Sequence, residues 1–161
     1  MPTIPAPDTG RPPHPRCAGG GGTVAPVSRV SGEIDYRLAR RSRINAFRKG
    51  RLSRHDVCDA HPELVRAARN VGEPTDERCP ICDEADLVHV SYVFGPRMPS
   101  SGRCVTSAAE LRKVARGAGP AKRDLACYVV EVCPVCSWNH LARVFLVAPG
   151  RGRAAQKTAS R

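Results

Sequence analysis

The sequence predicts an α+β domain in which an N-terminal helical hairpin packs on a three-stranded antiparallel sheet that carries an inserted helix. Three observations support this class: helical spacing with capping residues, two-residue alternation in three later segments, and two CxxC motifs at strand boundaries. These patterns divide the 161 residues into an extension over 1–30, the hairpin over 31–72, the sheet over 73–148 and a tail over 149–161.

The first predicted helix covers residues 33–49, with Ser31 near its start and Gly50 just past its end. At about 100° per residue, this helix gathers four arginines on one broad face. They are Arg37, Arg40, Arg41 and Arg48. A second helix is expected with Pro62 in its first turn and Gly72 at its end. The short link between the two helices favours a hairpin.

Alternation with a period of two predicts the sheet. Four residues occupy alternate positions of the first strand: Val88, Val90, Tyr92 and Phe94. Two further strands, LACYVVEV and NHLARVFLV, flank the second CxxC motif. Between the first strand and these two, a helix is predicted over about 106–117, because Ser107 and Glu110 have the spacing of a capping box.

Both ends of the chain differ from its middle. Residues 1–30 are rich in Pro and Gly and have little apolar periodicity, so we expect them to be disordered. We expect the same of the basic tail over 149–161. The chain has 26 Lys and Arg against 15 Asp and Glu, a net charge of +11. This excess favours contact with a polyanion such as nucleic acid or an acidic protein surface, although solubilising charge is the alternative.

The eight cysteines are expected in a reducing compartment. The sequence has no apolar window of about 18 residues, so no membrane span is predicted, and the N-terminal residues do not resemble a secretory signal. A cytoplasmic location follows. In that location, paired CxxC motifs indicate metal or redox chemistry more often than disulfides.

Cys79, Cys82, Cys133 and Cys136 form two CPxC motifs, here called the first and second knuckles (79–82 and 133–136). Four thiolates in two tight turns predict one closed, structural zinc site in the manner of a zinc ribbon. The gap between the knuckles exceeds the usual 15–20 or so residues, which the inserted helix explains. A redox CxxC, two disulfides and an iron–sulfur cluster are the alternatives.

Several neighbours of these motifs have two interpretations each. His140 could replace a cysteine ligand but is better explained as a hydrogen-bonding residue near the site. Trp138 is expected to shield the second knuckle from water, with stacking on a nucleic-acid base as the alternative. Cys58 lies between His55 and His61, which permits a second metal site, although burial of Cys58 explains the same pattern.

The distribution of charge indicates where a nucleic acid would bind. Residues 73–86 carry six acidic side chains and one arginine, so the first knuckle is a poor surface for phosphates. Phosphate contacts are therefore expected from the arginines of the first helix and of the inserted helix. The candidates are Arg37, Arg40, Arg41, Arg48, Arg112 and Arg116.

The residues also resemble a known family. The segments DYRLARRSRINAFRKGRLSRHDVCDAHPELVRAARNVGEPTDERCPIC, VSYVFG, SGR and YVVEVCPVCSWNHL are similar to an uncharacterised actinobacterial family, classed as a domain of unknown function, over about residues 35–147. The resemblance implies a cytoplasmic zinc-ribbon-like protein and supplies no established activity. The long N-terminal extension and the arginine-rich tail depart from that pattern.

These observations together favour a non-enzymatic zinc-binding module that acts on RNA or DNA, or on a nucleoprotein machine such as RNA polymerase or the ribosome. The alternative is a protein–protein adaptor that uses the acidic first knuckle and an exposed sheet edge. An enzyme ranks third, because no Ser/His/Asp set, carboxylate pair or phosphate-binding loop is recognisable.

Overall fold

The computed structural model describes residues 32–119 and 124–147. Its helices are α1 (Arg37–Arg48), α2 (Arg54–Val57), α3 (Pro62–Val71) and α4 (Ala108–Gly117). Its strands are β1 (Ile34–Asp35), β2 (Glu73–Arg78), β3 (Asp86–Phe94), β4 (Arg103–Val105), β5 (Ala126–Val132) and β6 (Asn139–Leu146). The extension over 1–30 and the tail over 149–161, both expected to be disordered, lie outside the described residues.

The strands form one antiparallel sheet in the order β1-β6-β5-β3-β2, and β4 pairs with β3. The three predicted strands are its centre, but within the described residues the sheet has six strands, so the expectation of three is wrong. The three missed strands lack an apolar alternation: β2 is acidic, β4 follows a Gly/Pro/Ser-rich loop, and β1 has only two residues. These three segments are strands because they pair with a neighbouring strand, and the local pattern of apolar residues does not reveal such pairing.

The predicted helical hairpin is also wrong, because α1 and α3 lie on opposite faces of the sheet. On one face, Ala68 of α3 packs against Val90 and Val132. On the other face, which we call the front face, Ile44 of α1 packs with Leu87 and Trp138. Each helix has a single apolar stripe and covers its own face. The linker between them passes the second knuckle, where the Ala60 N–H donates to the Ser137 carbonyl at 3.1 Å.

Strand pairing and a capping residue explain where α1 and α4 begin. Helix α1 begins at Arg37, four residues later than expected, because residues 34–35 pair with β6. Helix α4 begins after Ser107, whose hydroxyl accepts the Glu110 N–H at 3.2 Å, as predicted. The Glu110 carboxylate accepts the N–H of Thr106, one residue before the position it takes in a capping box.

Helix α4 shares the front face with α1. Leu111 and Val114 of α4 pack against Val93 of β3 and Cys127 and Val129 of β5. Cys127, Val129 and Glu131 alternate along β5 and therefore share one face. The front face thus carries α4 at one end and α1 beside the two knuckles at the other. None of the described helices is long and apolar enough to cross a bilayer.

Candidate metal centre

Sheet topology brings the two knuckles together. The first knuckle connects β2 to β3, and the second connects β5 to β6. Because β3 and β5 are neighbours, with Val88 opposite Val132, both turns leave the same end of the sheet side by side. The sulfurs of Cys79, Cys82, Cys133 and Cys136 all lie within 4.8 Å of one another. The predicted four-cysteine cluster is therefore present.

The sulfur spacing fits a tetrahedral metal ion. The Sγ atoms of Cys79 and Cys136 are 3.6 Å apart, and those of Cys82 and Cys133 are 3.7 Å apart. Four ligands about 2.3 Å from a shared zinc would lie about 3.8 Å from one another. The donor set is soft and all sulfur, which suits zinc and other thiophilic ions.

The two knuckles repeat one backbone geometry. The residue after the second cysteine of each, Asp83 and Ser137, has a positive φ of 56° and 66°. The N–H of that residue donates to the carbonyl of the first cysteine, at 3.1 Å in both cases. Backbone N–H groups also approach sulfur: Glu84 to Cys82 at 3.5 Å, and Cys136 to Cys133 at 3.4 Å. Such contacts stabilise thiolates and orient them toward a common centre.

The thiols differ in their surroundings. Burial raises the pKa of Cys79 and Cys133 to about 11 and that of Cys136 to about 12. Burial is the largest influence on Cys82 and raises its pKa, but the Glu84 N–H and contacts with the other three cysteines together outweigh it, so the pKa lies below its ordinary value. Without a cation, most of the cluster holds its protons, and a bound metal ion would displace them.

Trp138 covers the cluster from inside the protein. Its side chain has no exposed surface and packs with Cys79 and Cys133. The shielding role expected from the sequence fits this position. Stacking on a nucleic-acid base would need an exposed ring face, which Trp138 does not offer. His140 stacks on Trp138, with ring centroids 6.1 Å apart, and lies outside the group of four sulfurs.

A buried carboxylate beside the cluster was not recognised from the sequence. Glu131 is 3% exposed and accepts a hydrogen bond from the Trp138 indole N–H at 3.0 Å. It also accepts from Nε of Arg40, with its two oxygens at 2.6 and 2.8 Å. Nη2 of Arg40 reaches Glu77 at 3.1 Å. Glu131 therefore joins α1, the sheet and Trp138, which follows the second knuckle, through one side chain.

A fifth cysteine touches the cluster. The Sγ of Cys58 lies 3.6 Å from that of Cys136. The second metal site considered for Cys58 would need His55 and His61, but His61 is exposed and caps α3 by accepting the Glu63 N–H. The sequence placed Cys58 near two histidines, whereas the fold places it beside the second knuckle. Only the pairing of distant segments could reveal that contact.

The predicted nucleic-acid contacts divide into two groups. Arg40 is engaged inside the protein by Glu131 and Glu77, and Arg37 pairs with Asp35 at 2.6 Å. The remaining candidates are exposed, two on α1 and two on α4, and have no carboxylate within ion-pair distance among the described residues. They are Arg41, Arg48, Arg112 and Arg116. Both helices lie over the front face, so these arginines belong to one side of the protein.

The charge of the described part is smaller than that of the whole chain. The described residues hold 17 of the 26 Lys and Arg and 14 of the 15 Asp and Glu, so they carry +3 of the total +11. Most of the excess lies in residues 1–31, 120–123 and 148–161. A nucleic-acid interface on the described residues must therefore rest on a local patch rather than on net charge.

The chain belongs to a family of unknown function, DUF5318, whose model matches residues 28–161. The expected membership in an uncharacterised family is thereby confirmed, although the match includes the tail over 149–161 that was expected to depart from it, and the family description names neither a metal nor a zinc ribbon. The chain is 38% identical over 132 residues to uncharacterized proteins of Mycobacterium bovis (Mb0050) and Mycobacterium tuberculosis (Rv0049). These alignments cover 78% of this chain and 93% of each relative. No solved structure matches the chain.

Proposed function

We propose that the protein is a non-enzymatic zinc-binding module in which Cys79, Cys82, Cys133 and Cys136 hold one zinc ion in a zinc-ribbon arrangement. The observation that carries this proposal is the approach of four sulfurs to within 4.8 Å from two turns of the same geometry. Four protein ligands leave no open coordination position for a substrate or water. The site therefore suits structure rather than catalysis.

When bound, zinc supplies a cross-link between the β2–β3 and β5–β6 turns. The chain itself contributes the orientation of the ligands, through the N–H groups that approach sulfur. Trp138 excludes water from the inner side of the cluster. Because the described part is small, binding of the metal is expected to contribute directly to folding.

Native mass spectrometry tests the metal site. The purified protein should carry one zinc, and the variant with Cys133→Ser and Cys136→Ser should carry none. Cys104→Ser is the matched control, since Cys104 packs in a separate cluster under α3, and it should keep the zinc. A wild-type protein without metal, or retention of zinc in the double variant, would refute the site. Absorption of visible light would detect an iron–sulfur cluster in place of zinc.

We further propose that the outward face of α1 binds the phosphates of RNA or DNA, either free or within RNA polymerase or the ribosome, in the cytoplasm. Arg41 and Arg48 are seven residues apart and therefore share one exposed helix face. Beside them is a shallow depression that contains no acidic residue. Its lining is Leu38, Arg41, Ser42, Asn45, Ala46, Lys49 and Arg51. Arg112 and Arg116 on α4 form a second, smaller patch.

Binding to labelled RNA and duplex DNA at several salt concentrations tests this surface. Affinity should fall as salt rises. On duplex DNA, Arg41→Ala with Arg48→Ala should make the slope of log affinity against log salt concentration less steep by about 1.8, because each phosphate contact contributes about 0.9. Arg66→Ala removes an exposed charge from α3, on the opposite face of the sheet, and should leave this slope unchanged. Equal effects of the α1 double variant and of Arg66→Ala, or binding that does not depend on salt concentration, would exclude the proposal.

The adaptor remains a second proposal because β2 is an edge strand. Asp76 and Glu77 are exposed along it, and β2 pairs with β3 alone. Pro74 and a register shift between Pro74 and Arg78 interrupt that edge, which makes it a poor template for a long added strand. Binding of a basic extended peptide that Asp76→Asn and Glu77→Gln do not weaken would count against this function.

A further inference from the structure

Cys58 contacts the proposed metal site at one corner only. Its sulfur is 3.6 Å from Cys136, a distance equal to that between Cys79 and Cys136. Cys58 is nevertheless outside the set of sulfurs that all lie within 4.8 Å of one another. Its thiol donates to the Cys136 sulfur, whereas the four-cysteine set can be complete without it. Cys58 is thus a neighbour of a ligand and not a fifth ligand.

The backbone holds Cys58 in this place on both sides. Before it, Val57 is fully buried in the cluster that contains Trp138. After it, the Asn139 amide donates to Asp59 at 2.9 Å, and the Ala60 N–H donates to the Ser137 carbonyl. These contacts join the α2–α3 linker to the second knuckle and its following strand. The approach of the two sulfurs is therefore built into the fold.

Access of solvent differs among the thiols. Cys79 and Cys133 are buried, whereas Cys82, Cys136 and Cys58 are half-buried. Cys58 is the one cysteine outside the four whose sulfur contacts a sulfur of the cluster, within the part of the chain that the structure describes. Cys136 consequently combines exposure to a small oxidant with a free thiol beside it. Redox-sensor cysteines share these two properties together with thiolate character, which a bound metal ion would supply to Cys136 by displacing its proton.

We propose that Cys58 and Cys136 form an oxidative modification site at which a peroxide converts the pair to a disulfide; this inference rests on the proposed metal site. A metal ion bound by the four sulfurs would keep Cys136 deprotonated, and this thiolate would attack one oxygen of hydrogen peroxide; the O–O bond breaks, and Cys136 sulfenic acid and hydroxide result. The Cys58 sulfur then attacks the Cys136 sulfur, forming the S–S bond, and the sulfenic oxygen leaves with the Cys58 proton as water. Two sulfurs lose two electrons, and the peroxide gains them.

The disulfide removes one of the four thiolates. A closed site then offers three sulfurs, so its affinity for zinc falls and the knuckles lose their cross-link. Because the oxidation stops at a disulfide, a thiol reductant restores Cys136 and permits zinc to bind again. Without Cys58, the sulfenic acid at Cys136 can advance to the sulfinic acid, which thiols do not reduce.

The test exposes the purified full chain, with its zinc content first measured by native mass spectrometry, to hydrogen peroxide. Peptide mapping should find a Cys58–Cys136 cross-link as the main product, with a loss of about 2 Da and release of zinc to a chromogenic chelator. After reduction, the wild type and the control Cys104→Ser should rebind zinc nearly completely. Recovery in Cys58→Ser should be at least about threefold lower, with sulfinic acid at Cys136.

The outcomes are separable. A main cross-link between Cys79 and Cys136, or within either knuckle, would overturn the proposal, as would full recovery of zinc binding in Cys58→Ser. If Cys58→Ser does not fold, the cross-link map of the wild type still decides. Absence of zinc before oxidation would overturn the metal site itself. The same map would then show whether the thiol pair is oxidised independently of any metal.

Discussion

Replacing Glu131 by Gln tests whether a buried ion pair fastens α1 to the sheet. The carboxylate is 3% exposed and binds Nε of Arg40 and the Trp138 indole. Glutamine keeps the size of the side chain and one carbonyl acceptor, but it removes the charge and, with its carbonyl oxygen in the Oε1 position, places an N–H₂ group opposite the Arg40 Nε–H donor. The substitution therefore isolates the charged contact from packing.

The structure limits the size of the effect. Breaking a buried pair from one side costs about 3–5 kcal/mol, and a hydrogen bond to a charged group contributes about 1.5–3 kcal/mol. The Arg40 side chain is 24% exposed and keeps Glu77 as a partner, which lowers the cost. We expect Glu131→Gln to reduce the free energy of unfolding by about 2–3 kcal/mol. The 69% exposed Glu77 is the control, and Glu77→Gln should cost less than about 0.5 kcal/mol.

Urea unfolding at a fixed free zinc concentration measures these values, because a ligand of the native state shifts apparent stability. A double-mutant cycle with Arg40→Gln separates the pair from other effects, and a coupling energy above about 1 kcal/mol is expected. The reasoning is refuted if Glu131→Gln is no more destabilising than Glu77→Gln, or if the cycle gives no coupling between Glu131 and Arg40.

Two further changes have defined outcomes. At Gly72, an added Cβ would lie 2.0 Å from Val88 Cγ1 and 2.7 Å from the Ala68 carbonyl oxygen. Gly72→Ala should therefore lower the free energy of unfolding, measured in urea, by about 1–3 kcal/mol. Gly117→Ala is the control and should not destabilise the protein, because no atom lies within 4 Å of its added Cβ. Burial lowers the pKa of His89, against the attraction of nearby carboxylates. The unfolded state then binds protons more readily, so stability from neutral His89 is present above its unfolded pKa of about 6.5 and is lost as pH falls through the lower folded pKa. His89→Gln should flatten this decline, so the difference in urea midpoint between variant and wild type should change with pH. The same difference at pH values above and below about 6.5 would contradict the assignment.

The cluster of four cysteines was predictable because its signal is local. Each CPxC motif specifies a turn that points two thiols inward, and alternation predicted the strands that carry both turns. The pairing of β3 with β5 then places Cys79 beside Cys136 without further information. The same locality explains the success for α4, where Ser107 caps a helix begun within three residues of it.

The arrangement around the cluster depends on contacts between distant segments. Arg40 and Glu131 are separated by 91 residues, and Cys58 and Cys136 by 78. An arginine on an exposed helix face and a glutamate in a strand are both usually solvated, so neither pattern predicts a buried pair. Helix periodicity also shows that α1 and α3 each have an apolar stripe without showing which face of the sheet each stripe covers.

A continuous set of contacts connects the proposed metal site with the proposed binding surface. The Cys133 N–H donates to the Trp138 carbonyl at 2.8 Å, the Trp138 indole donates to Glu131, and Glu131 binds Arg40, which precedes Arg41 on α1. The orientation of α1 therefore depends on side chains that pack on the cysteine cluster. From this connection we expect Cys133→Ser with Cys136→Ser to weaken nucleic-acid binding, although it removes no positive charge. Preserved affinity in a metal-free variant would show that the outward face of α1 does not need the metal site for its position.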